Sequence, residues 1–119
     1  MADMAERIEL NYLLDFYGPL LTSHRQEVLR LYCEEDLSLQ EIADQLAITR
    51  QGVFDALNKA RRQLNDYEDK LGLVRRYRAQ TQAAEECLRA LADMSPSEVD
   101  RPNWLRAQAA LRGILAREE

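Results

Sequence analysis

The sequence predicts an all-α protein on three grounds. Gly and Pro are scarce, at four and three among 119 residues. Ala, Leu, Glu, Arg and Gln, which lose little side-chain freedom in a helix, are abundant, and β-branched residues are few. No run of strict apolar and polar alternation is long enough for a half-buried strand. The length suits one domain by the usual prior of roughly 100–200 residues. A composition 46% apolar and 31% charged excludes collagen-like, mucin-like and Pro/Gly-rich disordered chains.

A first helix is predicted from about Ala5 to Tyr17, with Ile8, Tyr12, Leu13 and Phe16 at helical spacing. Gly18-Pro19 ends it, because proline disfavours the αR region in the residue before it. Ser23-His24-Arg25-Gln26 has capping-box form and opens a second helix, with Val28, Leu29, Leu31 and Tyr32 inward. Glu34-Glu35-Asp36 lacks the oxygen-ligand spacing of a calcium loop and is expected to be a solvated acidic turn.

A second capping box, Ser38 to Glu41, opens a third helix carrying Leu39, Ile42, Ala43 and Leu46. Thr49 is a fitting cap for a fourth, whose apolar side is Val53, Ala56, Leu57, Ala60 and Leu64 and which reaches Leu71. Gly72 is a natural break. Beyond it Val74, Tyr77, Thr81, Ala84, Leu88 and Leu91 form a heptad-like seam, expected either to dimerise or to fold back on the first helix. Ser95-Pro96-Ser97-Glu98 is turn chemistry, and Pro102 suits the first position of a last helix ending in Arg117-Glu118-Glu119. The expected organisation is therefore residues 1–72 as one domain and 73–119 as a helical extension, packing on the first part or forming a homodimer.

Residues 38 to about 62 hold two helices joined by a three- to four-residue turn. The first is too short to be stable alone, so it must pack on its neighbour. Ala43 is small where the two would cross. This is the spacing of a helix-turn-helix, whose second helix can enter a DNA major groove. Thr49, Arg50 and Gln51 occupy its N-terminal turn, where free backbone N–H groups and the helix dipole favour a phosphate. Arg50 and Gln51 also suit guanine and adenine edges, and Asn58 is a further base reader. Lys59, Arg61 and Arg62 are candidate phosphate clamps. Residues 49–62 carry four basic side chains against Asp55, a local +3 on a chain of −5. The bland alternative is that basic residues simply suit the later turns and the solvent face of a helix.

Leu13-Leu14-Asp15-Phe16-Tyr17, Leu20-Leu21-Thr22, Leu31-Tyr32, Asp36-Leu37-Ser38-Leu39 and Glu41-Ile42-Ala43 resemble the YlxM/p13 family. Thr49 to Asp55, with Tyr67-Glu68 and Lys70-Leu71, extend the resemblance to about residues 8–72. Region 4 of bacterial sigma factors is similar more loosely, through the helix-turn-helix. The resemblance implies an all-helical cytoplasmic protein with a sigma-like helix-turn-helix. It also implies a regulator taking part in the signal recognition particle pathway, since the family's genes commonly lie beside those for the particle's protein and its receptor. Sigma region 4 typically has arginines and a glutamine where this chain has Gly52, Phe54 and Asp55. Ala47 stands where many such turns have glycine. Residues 73–119 show no family match.

Two functions follow. One is a regulator that binds double-stranded DNA through the residues named above, with the strong salt dependence of counterion release. The other is an accessory factor that binds components of the signal recognition particle, with the helix-turn-helix as scaffold and Phe54 as a protein contact. An enzyme is not expected: His24 has no nucleophile near it in sequence, and there is no phosphate loop or dinucleotide-binding glycine pattern. No metal or cofactor is expected. Cys33 and Cys87 belong to no metal-binding cluster and are expected to be small buried residues. Tyr12, Phe16, Tyr17, Tyr32 and Trp104 are expected in the core rather than as base-stacking platforms. The charged N-terminus lacks the apolar segment of a signal peptide, and no stretch approaches the roughly 18 apolar residues of a membrane span, so a cytoplasmic protein is expected.

Overall fold

The computed structural model describes residues 4–116, and among them there are helices and no strands. Helices α1 (Met4–Tyr17), α2 (Ser23–Cys33), α3 (Leu39–Leu46), α4 (Arg50–Leu71), α5 (Leu73–Ala92) and α6 (Arg101–Leu115) follow in order, with a 3₁₀ turn at Gly18–Leu20. No described helix is long and apolar enough to cross a membrane. The chain divides into two compact units, Met1–Val74 and Arg75–Glu119.

In the first unit α4 is the central element, packing on α1, α2 and α3. Its Val53, Ala56, Leu57, Ala60 and Leu64 are buried, as the three-and-four spacing requires. Opposite them lie Leu13 and Leu14 of α1, Val28, Leu29 and Leu31 of α2, and Ile42 and Ala43 of α3. Helix α1 turns a different face inward than its sequence implied. Leu10, Leu13, Leu14 and Tyr17 are buried, Tyr12 and Phe16 are half-buried, and Ile8 is 44% exposed. The two rows are similarly apolar, and packing against α2 and α4 selects the one through Leu10 and Tyr17.

The helix ends repeat the local rules with one shift. Ser38 and Glu41 form the expected capping box: Glu41 N donates to Ser38 Oγ at 3.1 Å, and Ser38 N to Glu41 Oε1 at 2.9 Å. Such a cap stabilises the short α3 by about 1 kcal/mol. Helix α2 is capped one residue earlier than expected. Thr22 Oγ1 accepts from Arg25 N at 3.2 Å, so Ser23 is the first helical residue and no Ser23/Gln26 box forms. Pro102 is the second residue of α6 rather than the first. The proposed end at Arg117-Glu118-Glu119 lies outside the described residues.

One part-buried polar node ties α1 and α4 to the first two residues of α5. Tyr17 OH donates to Glu68 Oε1 at 2.7 Å and accepts from Leu73 N at 3.1 Å, while Val74 N donates to the same carboxylate oxygen at 3.0 Å. Tyr67 stacks on the Tyr17 ring, 5.8 Å between centroids. Burial, reinforced by the Glu68 carboxylate, pushes the Tyr17 hydroxyl above its ordinary value of 10.0. Gly72 makes the sharp exit from α4 possible by adopting φ 63°, a left-handed conformation that costs glycine little.

The residues of the α5 seam are buried or half-buried. Val74 belongs to the core of the first unit and Ala84 is buried. Trp104 of α6 donates its indole N–H to the Leu91 carbonyl at 3.0 Å, holding α6 against the end of α5. At its far end the seam therefore turns to α6. Of the two cysteines, Cys33 is buried as expected, whereas Cys87 is exposed, because it sits off the seam on the outer side of α5.

Candidate nucleic-acid interface

The turn between α3 and α4 sets up the site. Helix α3 ends at Ala47, which takes φ 56° and ψ 43°, the left-handed conformation that glycine usually occupies. Leaving glycine out of this turn therefore does carry strain. Two residues later Thr49 Oγ1 accepts from Gly52 N at 2.9 Å and starts α4. A side chain at position 52 would press on that cap, since its Cβ would lie 3.1 Å from Thr49 Oγ1. Glycine at this position thus fits the cap.

Helix α4 projects Thr49, Arg50, Gln51, Lys59 and Arg62 into solvent. Arg50, Lys59 and Arg62 make no ion pair among the described residues, so the exposed cations of this segment stand free. Gln51 is not free: its Nε2 donates to Asp55 Oδ1 at 3.0 Å. The amide is thereby turned along the helix, and the one acid of the segment sits in the middle of the exposed face.

Arg61 and Asn58 are placed differently. Both are half-buried, and both line a cleft of about 230 Å³ with Glu6, Tyr32, Leu39, Phe54 and Leu57. The Arg61 guanidinium lies over the Tyr32 ring, 5.7 Å from its centroid, with Arg7 over the same ring at 5.1 Å. Arg61 Nε is buried without a hydrogen-bond partner. Arg7 also pairs with Asp36 in the acidic turn, so that turn is solvated but anchored. Burial pushes the neighbouring Cys33 thiol up to about 11, against the lowering effect of the two arginines.

A second, wider cleft of about 420 Å³ opens between Leu39, Arg50, Gln51 and Phe54. Phe54 lines both clefts and is 48% exposed. The half-exposed Leu39 side of α3 was not legible as part of a site, because its spacing reads as ordinary core. No group of three His, Cys, Asp or Glu side chains among the described residues is placed to hold a metal.

Comparison with known proteins bears on this geometry directly. The profile of a family described as "UPF0122: Putative helix-turn-helix protein, YlxM / p13 like" matches residues 4–100. The chain belongs to this family. A UPF0122 protein of Desulforamulus reducens is 38% identical over 117 residues, covering 98% of both chains. One from Symbiobacterium thermophilum is 41% identical over 109 residues, 90% of this chain and 94% of its own. One from Acetivibrio thermocellus is 44% identical over 91 residues, 76% and 78% of the two chains. The YlxM/p13 resemblance seen in residues 8–72 is thus confirmed and reaches further than expected. It runs through α5 to residue 100, a helix whose generic seam had offered no recognisable motif.

Proposed function

We propose that this UPF0122 protein is a DNA-binding regulator of the helix-turn-helix type. The observation that carries the reading is the N-terminal half of α4. A Thr49-capped helix start presents Arg50 and Gln51, and the free cations Lys59 and Arg62 follow two to three turns further along the same helix, on a chain whose net charge is −5. Thr49 and the first turn receive a phosphate, Arg50 and Gln51 read base edges with Asn58 behind them, and Lys59 and Arg62 clamp phosphates. Arg61 supports the helix from its Tyr32 side. One helix-turn-helix buries little area, so tight binding calls for two copies on one duplex.

Fluorescence anisotropy against duplex DNA from upstream of the protein's own operon tests this, with a scrambled duplex and several salt concentrations. Salt-dependent binding that prefers the native duplex and is lost in Arg50→Ala/Lys59→Ala is the expected result. No binding at low salt overturns it.

A second reading is favoured by Phe54 and by α3. A half-exposed aromatic ring flanked by Leu39 and Arg50 suits a protein partner, and α3 itself contributes acids but no cation. In that reading the chain is an accessory factor of the signal recognition particle pathway, contacting the particle's protein, receptor or RNA. Phe54→Ala would then abolish association with the purified particle or receptor while Arg50→Ala/Lys59→Ala leaves it intact. Failure of the native chain to bind any of the three components overturns this reading.

A further inference from the structure

Helix α5 carries one row of exposed side chains. Tyr77, Thr81, Ala84, Leu88 and Leu91 lose solvent on one side, whereas Arg76, Ala79, Ala83 and Glu86, spaced three, four and three apart, form an exposed row on the other. Neither Arg76 nor Glu86 has an ion pair or hydrogen bond among the described residues. The unit around them is thin. Within Arg75–Glu119 only Ala84 and Gln108 of the described residues are fully buried, while Met94, Val99, Leu105 and Ile114 are more than half exposed. Two helices of this length rarely hold together on so small a core, and oligomerisation is the usual remedy.

The order of charges along the row says what fits it. A cation at one end and an anion at the other make the row complementary to itself when reversed. We propose that this face binds the same face of a second copy of this chain, the two α5 helices running antiparallel about a two-fold axis level with residue 81. Arg76 then faces Glu86 of the partner subunit, and Ala79 faces Ala83 of the partner subunit, each contact occurring twice as an isologous interface requires. At a rise of 1.5 Å per residue the two ion pairs sit about 15 Å apart. The alanines between them let the helix axes approach to about 8 Å. A parallel pairing would set Arg76 against its own copy and Glu86 likewise. Exposed ion pairs add little affinity, so their role is to set direction and register. The inference stands apart from DNA binding, because it concerns only α5.

Sedimentation velocity of the full chain from about 1 to 200 µM, without DNA, tests the proposal. The expected result is a shift with concentration from the 13.8 kDa monomer toward twice that mass. Arg76→Glu and Glu86→Arg each weaken the dimer at least tenfold, and the double variant Arg76→Glu/Glu86→Arg restores it to within threefold of the native chain. Both positions are exposed, and far-UV circular dichroism checks that each variant remains helical. A monomer throughout the range overturns the proposal. So does a dimer indifferent to the single reversals, or a double variant that stays weak.

Discussion

Ala47→Gly should stabilise the protein, although glycine normally weakens a chain. Ala47 holds φ 56° at the end of α3, where its Cβ crowds the following carbonyl at a cost of about 1–2 kcal/mol. Its methyl is exposed, so removing it forfeits little burial. Against the relief stands the extra backbone entropy glycine loses on folding, about 0.5–1 kcal/mol. The balance is a net gain of about 0.5–1 kcal/mol, or about 2–6 °C in Tm for a chain of this size. Urea unfolding at neutral pH, followed by circular dichroism, reads the difference directly. Ala47→Val is the control of opposite sign, because a β-branched residue fits the left-handed region worse. If Ala47→Gly lowers the midpoint, the turn is not strained in the way its dihedral angles imply and the reasoning fails.

Three further outcomes are expected. Tyr17→Phe removes the acceptor of the Leu73 N–H and a donor to Glu68, and should cost about 1–3 kcal/mol in the same unfolding assay. Because the folded-state Tyr17 value is raised above 10.0, its contribution is complete below pH 10 and is lost as the pH rises further; the Phe variant lacks that share of the alkaline fall. Cys33, raised from 9.0 to about 11, likewise contributes stability that is full below pH 9 and declines toward pH 11. A thiol reagent at neutral pH should therefore modify Cys87 rapidly and Cys33 only after denaturation, and two fast thiols would contradict the burial. Asp55→Asn removes the acid from the exposed face of α4 and should tighten duplex binding at low salt by about threefold to tenfold; unchanged or weaker binding in the anisotropy assay would place Asp55 away from DNA.

The helices and the helix-turn-helix were legible because their signals are local. Ser38/Glu41 and Thr49 announce helix starts in a few residues, and Val53 to Leu64 repeats at the helical period. What failed were decisions between near-equivalent local options. Thr22 and Ser23 are both good caps, and only the position of the 3₁₀ turn selects Thr22. In α1 the rows through Ile8 and through Leu10 are both apolar, and packing against α2 and α4 chooses the second. The direction of Arg61 was beyond local reading altogether, since it depends on Tyr32 of another helix. The Tyr17–Glu68–Leu73 node spans more than fifty residues of sequence and has no motif.

The placement of Arg61 makes a prediction that separates structure from charge counting. The sequence offers three candidate phosphate clamps, Lys59, Arg61 and Arg62, whereas the structure leaves Lys59 and Arg62 free and stacks Arg61 on Tyr32. Each neutralised phosphate contributes about −0.9 to the slope of log K against log salt. Two clamps per bound protomer give a slope of about −1.8, so affinity falls about 12-fold between 50 and 200 mM salt; three give about −2.7 and about 40-fold. The absolute slope doubles if two protomers bind, but the effect of substitutions per protomer does not depend on that. Lys59→Gln should flatten the slope by about 0.9 per protomer and leave stability nearly unchanged. Arg61→Gln should do the reverse, leaving the slope in place while removing about 0.5–1 kcal/mol of stability with its ring contact. A variant at position 61 that flattens the slope as much as Lys59→Gln would show that the guanidinium leaves Tyr32 for the phosphate on binding. The cleft it lines would then be a conformational intermediate of the DNA complex rather than a surface for a protein partner.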